Sequence, residues 1–188
     1  MNDTQIPLAD SYEGLYSRVQ SVLASGNVPE AITLYRRLVE RLARLTPRIL
    51  ERRPELRNLH RAARMELATL LRREGRTSEA IEAVRVLLDS HPEEARLWRR
   101  ELAVLYVAKG DVEGGLGDLR ALAEEAPDEV AGWLVLGQEA RIESRFPQAR
   151  EALDRALEVC QRTSCPELTR IYRERFELYR ATGQVDEA

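Results

Sequence analysis

Few side chains in this sequence are of the types that do chemistry, and their spacing suits chemistry poorly. The two histidines, His60 and His91, lie 31 residues apart. His91 falls in a Ser90-His91-Pro92 turn, and both read as surface residues. Cys160 and Cys165 form a C-x4-C pair near a linker, with no histidine or second cysteine pair beside them. Zinc takes four ligands, so no metal site is expected. A disulfide across that linker is one option, but the first ten residues, MNDTQIPLAD, have neither the basic region nor the apolar core of an export signal. Two free thiols in a cytoplasmic protein are therefore expected. The single lysine, Lys109, is followed by Gly110-Asp111, so there is no G-x-x-x-x-G-K-[ST] phosphate loop, and neither G-x-G-x-x-G nor H-E-x-x-H occurs. Carboxylate pairs such as Glu124-Glu125 sit near helix ends or on polar faces, where solvation explains them. No catalytic residue, metal or cofactor is expected, and the protein does not read as an enzyme.

Arginine is the residue type with something to offer. From Arg36 to Arg64 there are ten arginines against three glutamates, Glu40, Glu51 and Glu55, a local charge of +7 in a chain whose net charge is −3. Arg37, Arg41, Arg44 and Arg48 recur at four- and three-residue steps, one helical stripe provided that the helix continues through Pro47. Such a stripe can hold phosphates or an acidic protein surface; the alternative is a solvated face paired with glutamates elsewhere. No aromatic residue interleaves these arginines after Tyr35, which argues against stacking on single strands. Nucleic acid is the less expected ligand, and an anion or nucleic-acid binder using the segment from Arg36 to Arg64 stands as the rival reading of function.

The elements that carry these residues all read as helices. Charged residues make up 32% and hydrophobic residues 44%, a balance that suits exposed helices rather than disorder. No run approaches 18 apolar residues, so no membrane span is expected. Asp10 or Ser11 can cap a first helix that stops at Ser25-Gly26, and Asn27 caps a second with Pro29 in its first turn. That helix should run to at least Leu45. Thr46-Pro47 and Arg53-Pro54 each read as a break followed by a first-turn proline, with a short helical turn between them. Thr77 or Ser78, Asp111 and Ser164 read as later caps. Gly114, Gly115 and Gly117 fall inside one helix; Gly115 has a packing reason as a small residue, while Gly114 and Gly117 have none visible and read as a locally soft helix, with a close backbone contact to a partner as the alternative.

The stretch from Val130 to Cys160 organises the rest. Trp133, Leu136-Gly137 and Ala140 share one helical face, and Ala149, Leu153 and Ala156 share a face of a second helix that starts with Pro147. Upstream, Leu102-Ala103, Tyr106, Gly110, Gly115, Leu119 and Pro127 repeat the pattern, with Trp98 one position early. Leu67-Ala68, Leu71, Gly75, Ala80, Val84 and Pro92 repeat it again. Ala80, Gly115 and Ala149 are 35 and 34 residues apart, while Ala31 precedes Ala80 by 49 and Ala188 follows Ala149 by 39. The pattern resembles the tetratricopeptide repeat (TPR), whose period is about 34 residues.

That resemblance implies an all-α, right-handed α-solenoid of about four and a half helical hairpins in one domain. The repeats fall at 11–45, 54–92, 95–127, 130–162 and a partial 166–188. Because the fifth repeat stops at Ala188, the chain reads as a fragment of a longer protein, with the accessory domain of an enzyme as one alternative. Its last helix should leave Ile171, Tyr172, Phe176 and Tyr179 partly uncovered, and self-association through that end is expected. The resemblance also implies a non-enzymatic scaffold or adaptor that binds a protein or peptide partner in an inner groove lined by the first helix of each repeat. Projected onto this chain, the groove takes Tyr16, Leu23, Met65, Arg72, Leu97, Arg100, Val104, Val107, Leu134, Val135, Arg141 and Ile142, with Arg173 and Arg180 closing the row. It would be apolar in its middle, with Arg100 and Arg141 placed to hold carboxylates. The family's carboxylate clamp, built on two lysines, is not one that this chain can make with Lys109 alone.

Overall fold

In the computed structural model, residues 11–184 are described. They form ten α-helices, with no strand among the described residues. Two compact units divide the chain, Met1–Pro92 and Glu93–Ala188. In the first, α1 (Tyr12–Ala24) pairs with α2 (Val28–Ala43), and α4 (Pro54–Arg73) packs against both α2 and α5 (Thr77–Ser90), with the short α3 (Pro47–Arg52) beside α4. In the second, α6 (Ala95–Lys109) pairs with α7 (Val112–Glu125) and α8 (Val130–Ile142) with α9 (Phe146–Thr163), while α10 (Leu168–Thr182) lies on α9 and α8.

Local signals set most of the boundaries. The Ser11 hydroxyl accepts from the Gly14 amide at 2.9 Å, and the Asn27 side chain accepts from the Glu30 amide at 3.3 Å. Asp111 does the same for Gly114 at 3.2 Å. Asp10, the alternative first cap, lies outside the described residues. Pro47 and Pro54 each open a helix, where a missing amide proton costs nothing.

Two caps differ from the sequence expectation. Arg76, not Thr77 or Ser78, is the N-cap of α5 and makes no side-chain bond. Ser164 ends α9 in the left-handed conformation (φ 54°), and Glu167 begins α10. Around that turn Cys160 and Cys165 are joined in a disulfide, which corrects the expectation of two free thiols. The two cysteines are five positions apart in sequence, and their Cα atoms are 4.8 Å apart, within disulfide reach. One turn of helix followed by a left-handed residue brings them together.

Unit 2 is built on close approach. A Cβ added at Gly115 would stand 2.6 Å from Val107 Cγ2 and 2.7 Å from the Ala103 carbonyl oxygen; α6 and α7 touch backbone to backbone there. Gly114 also has a reason absent from the sequence expectation, since a Cβ would press on the Asp111 carboxylate at 2.7 Å and disturb the cap. Gly117 faces open space, with no atom within 4 Å of the added carbon. Gly117→Ala should therefore raise the unfolding free energy by about 1 kcal/mol, the ordinary helix-propensity gain. Gly115→Ala should lower stability, because the neighbour it meets is backbone. Urea titration of both variants tests the pair; equal effects of the same sign would refute the assignment.

Candidate functional site

The exposed face of unit 2's inner helices can be read from burial. In α8, Ala131, Val135 and Gln138 are half-buried and Ile142 is exposed at 54%. These four are spaced by four, three and four residues, one helical stripe. Thirty-four residues earlier the same spacing gives Leu97, Glu101, Val104 and Ala108 on α6. Leu97 and Glu101 are half-buried and Ala108 is exposed. On the same side of α8, Arg170 of α10 donates to Gln138 Oε1 at 2.7 Å.

Three of the expected groove residues belong elsewhere. Val107 and Leu134 are 2% and 1% exposed, Val104 is 8% exposed, and all three are part of the core shared by α6 to α10. In α6, Val107 packs against α7 beside Gly115, and Val104 belongs to the same buried cluster. In α8, Leu134 lies next to the exposed stripe and packs inward. No continuous apolar strip through Val104, Val107, Leu134 and Val135 is open to a partner. Leu97, Val135 and Ile142 remain accessible. In unit 1, Tyr16 is half-buried edge-on to Tyr35, with ring centroids 6.3 Å apart. Leu23 and Met65 are half-buried and Arg72 is exposed.

The arginines assigned to the groove are also engaged. Arg100 pairs with Glu129 at 3.1 Å, and Arg96 reaches the same carboxylate at 2.9 Å. Arg141 donates twice to one oxygen of Glu174, at 3.2 and 2.9 Å, and that glutamate is buried. Arg180 pairs with Glu177, while Arg173 is exposed. The outer helices are stitched in the same way. Arg120 grips Glu151 with both terminal nitrogens at 3.0 and 2.8 Å, and Arg162 pairs with Asp128. These pairs rim a cavity of about 500 Å³ that Trp133 also lines. Arg99 and Arg120 hold the carboxyls of Glu125 and Glu151 below the usual carboxylate range through direct hydrogen bonds.

The basic segment is arranged differently. α2 ends at Ala43 and α3 starts at Pro47, so the helix does not run through Pro47 and the stripe is broken. Arg37 and Arg41 lie on α2, Arg44 is its C-cap, and Arg48 lies on α3. Arg37, Arg44 and Arg48 are exposed. The Arg41 guanidinium lies 5.3 Å from the ring centroid of Tyr12, a cation–π contact.

Comparison with known proteins decides the family. The tetratricopeptide repeat family profile matches residues 16–95 and 100–164. The chain belongs to the tetratricopeptide repeat family. Among similar solved structures is that of Podosopora anserina putative kinesin light chain nearly identical TPR-like repeats, 20% identical, with 97% of this chain and 92% of that one covered at a TM-score of 0.64. BtubC (BKLC) from P. vanneervenii is 19% identical, with 94% and 74% covered and a TM-score of 0.63. A thermophilic TPR protein of Thermus thermophilus is 22% identical, with 94% and 86% covered and a TM-score of 0.60. No curated protein matches. At these identities the structures speak for the fold alone, an all-α helical-repeat solenoid. Tetratricopeptide repeats generally mediate protein–protein interaction, and proteins built from them are generally non-enzymatic scaffolds.

Within this TPR chain, no group of three or more potential metal ligands occurs among the described residues, and none of the described helices is long and apolar enough to cross a membrane. The histidines are buried rather than on the surface: His60 is 9% exposed and His91 4%. Arg64 Nε donates to His60 Nε2 at 2.9 Å, and Ser90 Oγ lies 2.9 Å from His91 Nδ1. An acceptor nitrogen facing a guanidinium requires a neutral ring. Burial, then the charges of Arg64 and His91, push the His60 pKa from the ordinary 6.5 down to about 4.

The folded protein therefore resists a proton that the unfolded chain accepts. The stability tied to His60 is complete above about pH 6.5 and is lost as pH falls toward 4, by at most about 3 kcal/mol. Urea midpoints should already fall between about pH 7 and pH 5, before Glu79, Glu125 and Glu151 protonate. His60→Gln should flatten that drop; an unchanged drop would show that His60 is not its source.

Proposed function

We propose that this tetratricopeptide repeat chain is a non-enzymatic binding module, and that unit 2 receives a peptide or protein partner on the inner face of α6 and α8. The observation that carries this reading is Ile142, 54% exposed at the end of the α8 stripe. Leu97 and Val135 extend the same surface. Together they offer apolar anchor points on rigid helices, the surface that a partner's apolar side chains would cover. Arg100 and Arg141 would frame that surface through their existing pairs. An incoming acid would have to displace Glu129 or the buried Glu174, so the partner's anchors on this face are apolar.

A photo-reactive residue at position 142 should crosslink to a cellular partner, whereas one at Glu158 on α9 should not. Val135→Glu or Ile142→Glu should reduce recovery about tenfold or more, equivalent to about 1.4 kcal/mol or more of binding, with the helical signal intact. Equal crosslinking from both positions, or full recovery by both variants, would remove this face as the site.

A second surface favours self-association. On α10, Leu168, Tyr172 and Phe176 are 38%, 49% and 45% exposed and follow one another at i, i+4, i+8, whereas Ile171 and Tyr179 are buried. Ala188, expected as the opening small residue of the next helix, lies outside the described residues. An apolar stripe of this kind drives association between copies. Sedimentation should show concentration-dependent dimers that Tyr172→Glu/Phe176→Glu abolishes; a strict monomer at high concentration would contradict it.

A further inference from the structure

We propose that the arginine-rich connection in unit 1, the last turns of α2 together with α3, is a docking surface for an acidic amphipathic helix of another protein. This surface is separate from the α6–α8 face and does not depend on it.

Three observations on the same residues support the proposal. The first is surplus chain. The left-handed glycines that end the first helix of each hairpin, Gly26, Gly75 and Gly110, are separated by 49 and then 35 residues. The longer interval contains α3, six residues of which none is buried. Packing into the core does not account for ordering that helix. The second is unpaired charge. Arg37, Arg44, Arg48 and Arg52 are all exposed, and their guanidinium groups have no hydrogen-bond, ion-pair or ring partner among the described residues. In unit 2, by contrast, only Arg173 lacks a polar partner among the described residues. Apart from Arg173, the arginines of unit 2 are satisfied within the chain; in unit 1 this cluster is left open, as are Arg72 and Arg73 at the end of α4. The third is an apolar residue in the midst of that charge: Ile49, on α3 between Arg48 and Arg52, is 40% exposed.

The arrangement selects the occupant. Arg37, Arg41 and Arg44 follow one another at i, i+4, i+7, and Arg48 and Arg52 at i, i+4, so each set presents guanidinium groups along one side of its helix. Guanidinium forks hold carboxylates bidentately, and Ile49 supplies an apolar contact among them. A helix with glutamates flanking an apolar stripe satisfies both. Single-stranded nucleic acid would need open aromatic rings to stack on, but Tyr12 lies against Arg41 and Tyr35 is fully buried.

The test uses the whole chain and a fluorescein-labelled synthetic helical peptide with leucines at i and i+4 on a glutamate-rich background, followed by anisotropy near physiological salt. Saturable binding is expected. It should weaken about tenfold or more on Arg44→Glu/Arg48→Glu and again on Ile49→Asp, while Gln161→Glu on the exposed side of α9 leaves it unchanged. The milder Arg48→Gln and Ile49→Ser should act in the same direction if either first variant loses its helical signal. Absence of binding to the unaltered chain, or binding that survives both changes, overturns the proposal. So does a duplex or single-stranded oligonucleotide that binds more tightly than the peptide and ignores Ile49→Asp, which would make the surface a nucleic-acid site.

Discussion

Close packing of two helices through a residue with almost no side chain is the constraint on which unit 2 depends. At Gly137 an added Cβ would stand 2.7 Å from Leu153 Cγ, and at Gly115 it would meet the α6 backbone. Ala149, Ala152 and Ala156 are fully buried on the facing side of α9. Leu153 fills the space that Gly137 leaves, Trp133 and Leu136 belong to the same buried cluster, and interiors at such density leave little room for adjustment. The spacing of the hairpin, and with it the angle at which α8 presents Val135 and Ile142, follows from that contact.

The second organising interaction is electrostatic and acts between repeats. Arg100 with Glu129, Arg120 with Glu151 and Arg141 with Glu174 are separated by 29, 31 and 33 residues, close to one repeat. Arg120–Glu151 is exposed and Arg100–Glu129 half-buried, and such pairs individually stabilise little. Arg141–Glu174 differs because the carboxylate is buried, so removing the arginine would strand a charge. Their combined effect is to fix which residue of one hairpin meets which residue of the next. They also use up groups that would otherwise be free to bind a partner.

Much of the fold was legible along the chain because its signals are local. Proline at a first helical turn, Ser11, Asn27 and Asp111 as caps, and the recurring small residue at Ala80, Gly115 and Ala149 each act within a few residues of where they stand. The surface was less legible. Val104 and Leu134 are apolar residues on inner helices, as Val135 and Ile142 are, and only their direction separates core from groove. A rotation of one residue, about 100° around a helix, moves a side chain from one to the other. The α8 stripe carried only a partial signal: the spacing of Ala131, Val135 and Ile142 recurs 34 residues earlier at Leu97, Glu101 and Ala108, but Val104, at the position of Gln138, is buried.

By itself the sequence determined the helices, the caps Ser11, Asn27 and Asp111, and the repeat that makes this a tetratricopeptide chain, since periodicity and capping are properties of neighbouring residues. Tertiary structure decided which ionisable groups are spoken for. Glu174 reaches Arg141 across 33 residues, Cys165 closes on Cys160 around a left-handed Ser164, and His60 is buried beside Arg64. Those outcomes depend on distances between residues on different turns or different helices, which composition and spacing leave open until the backbones have packed.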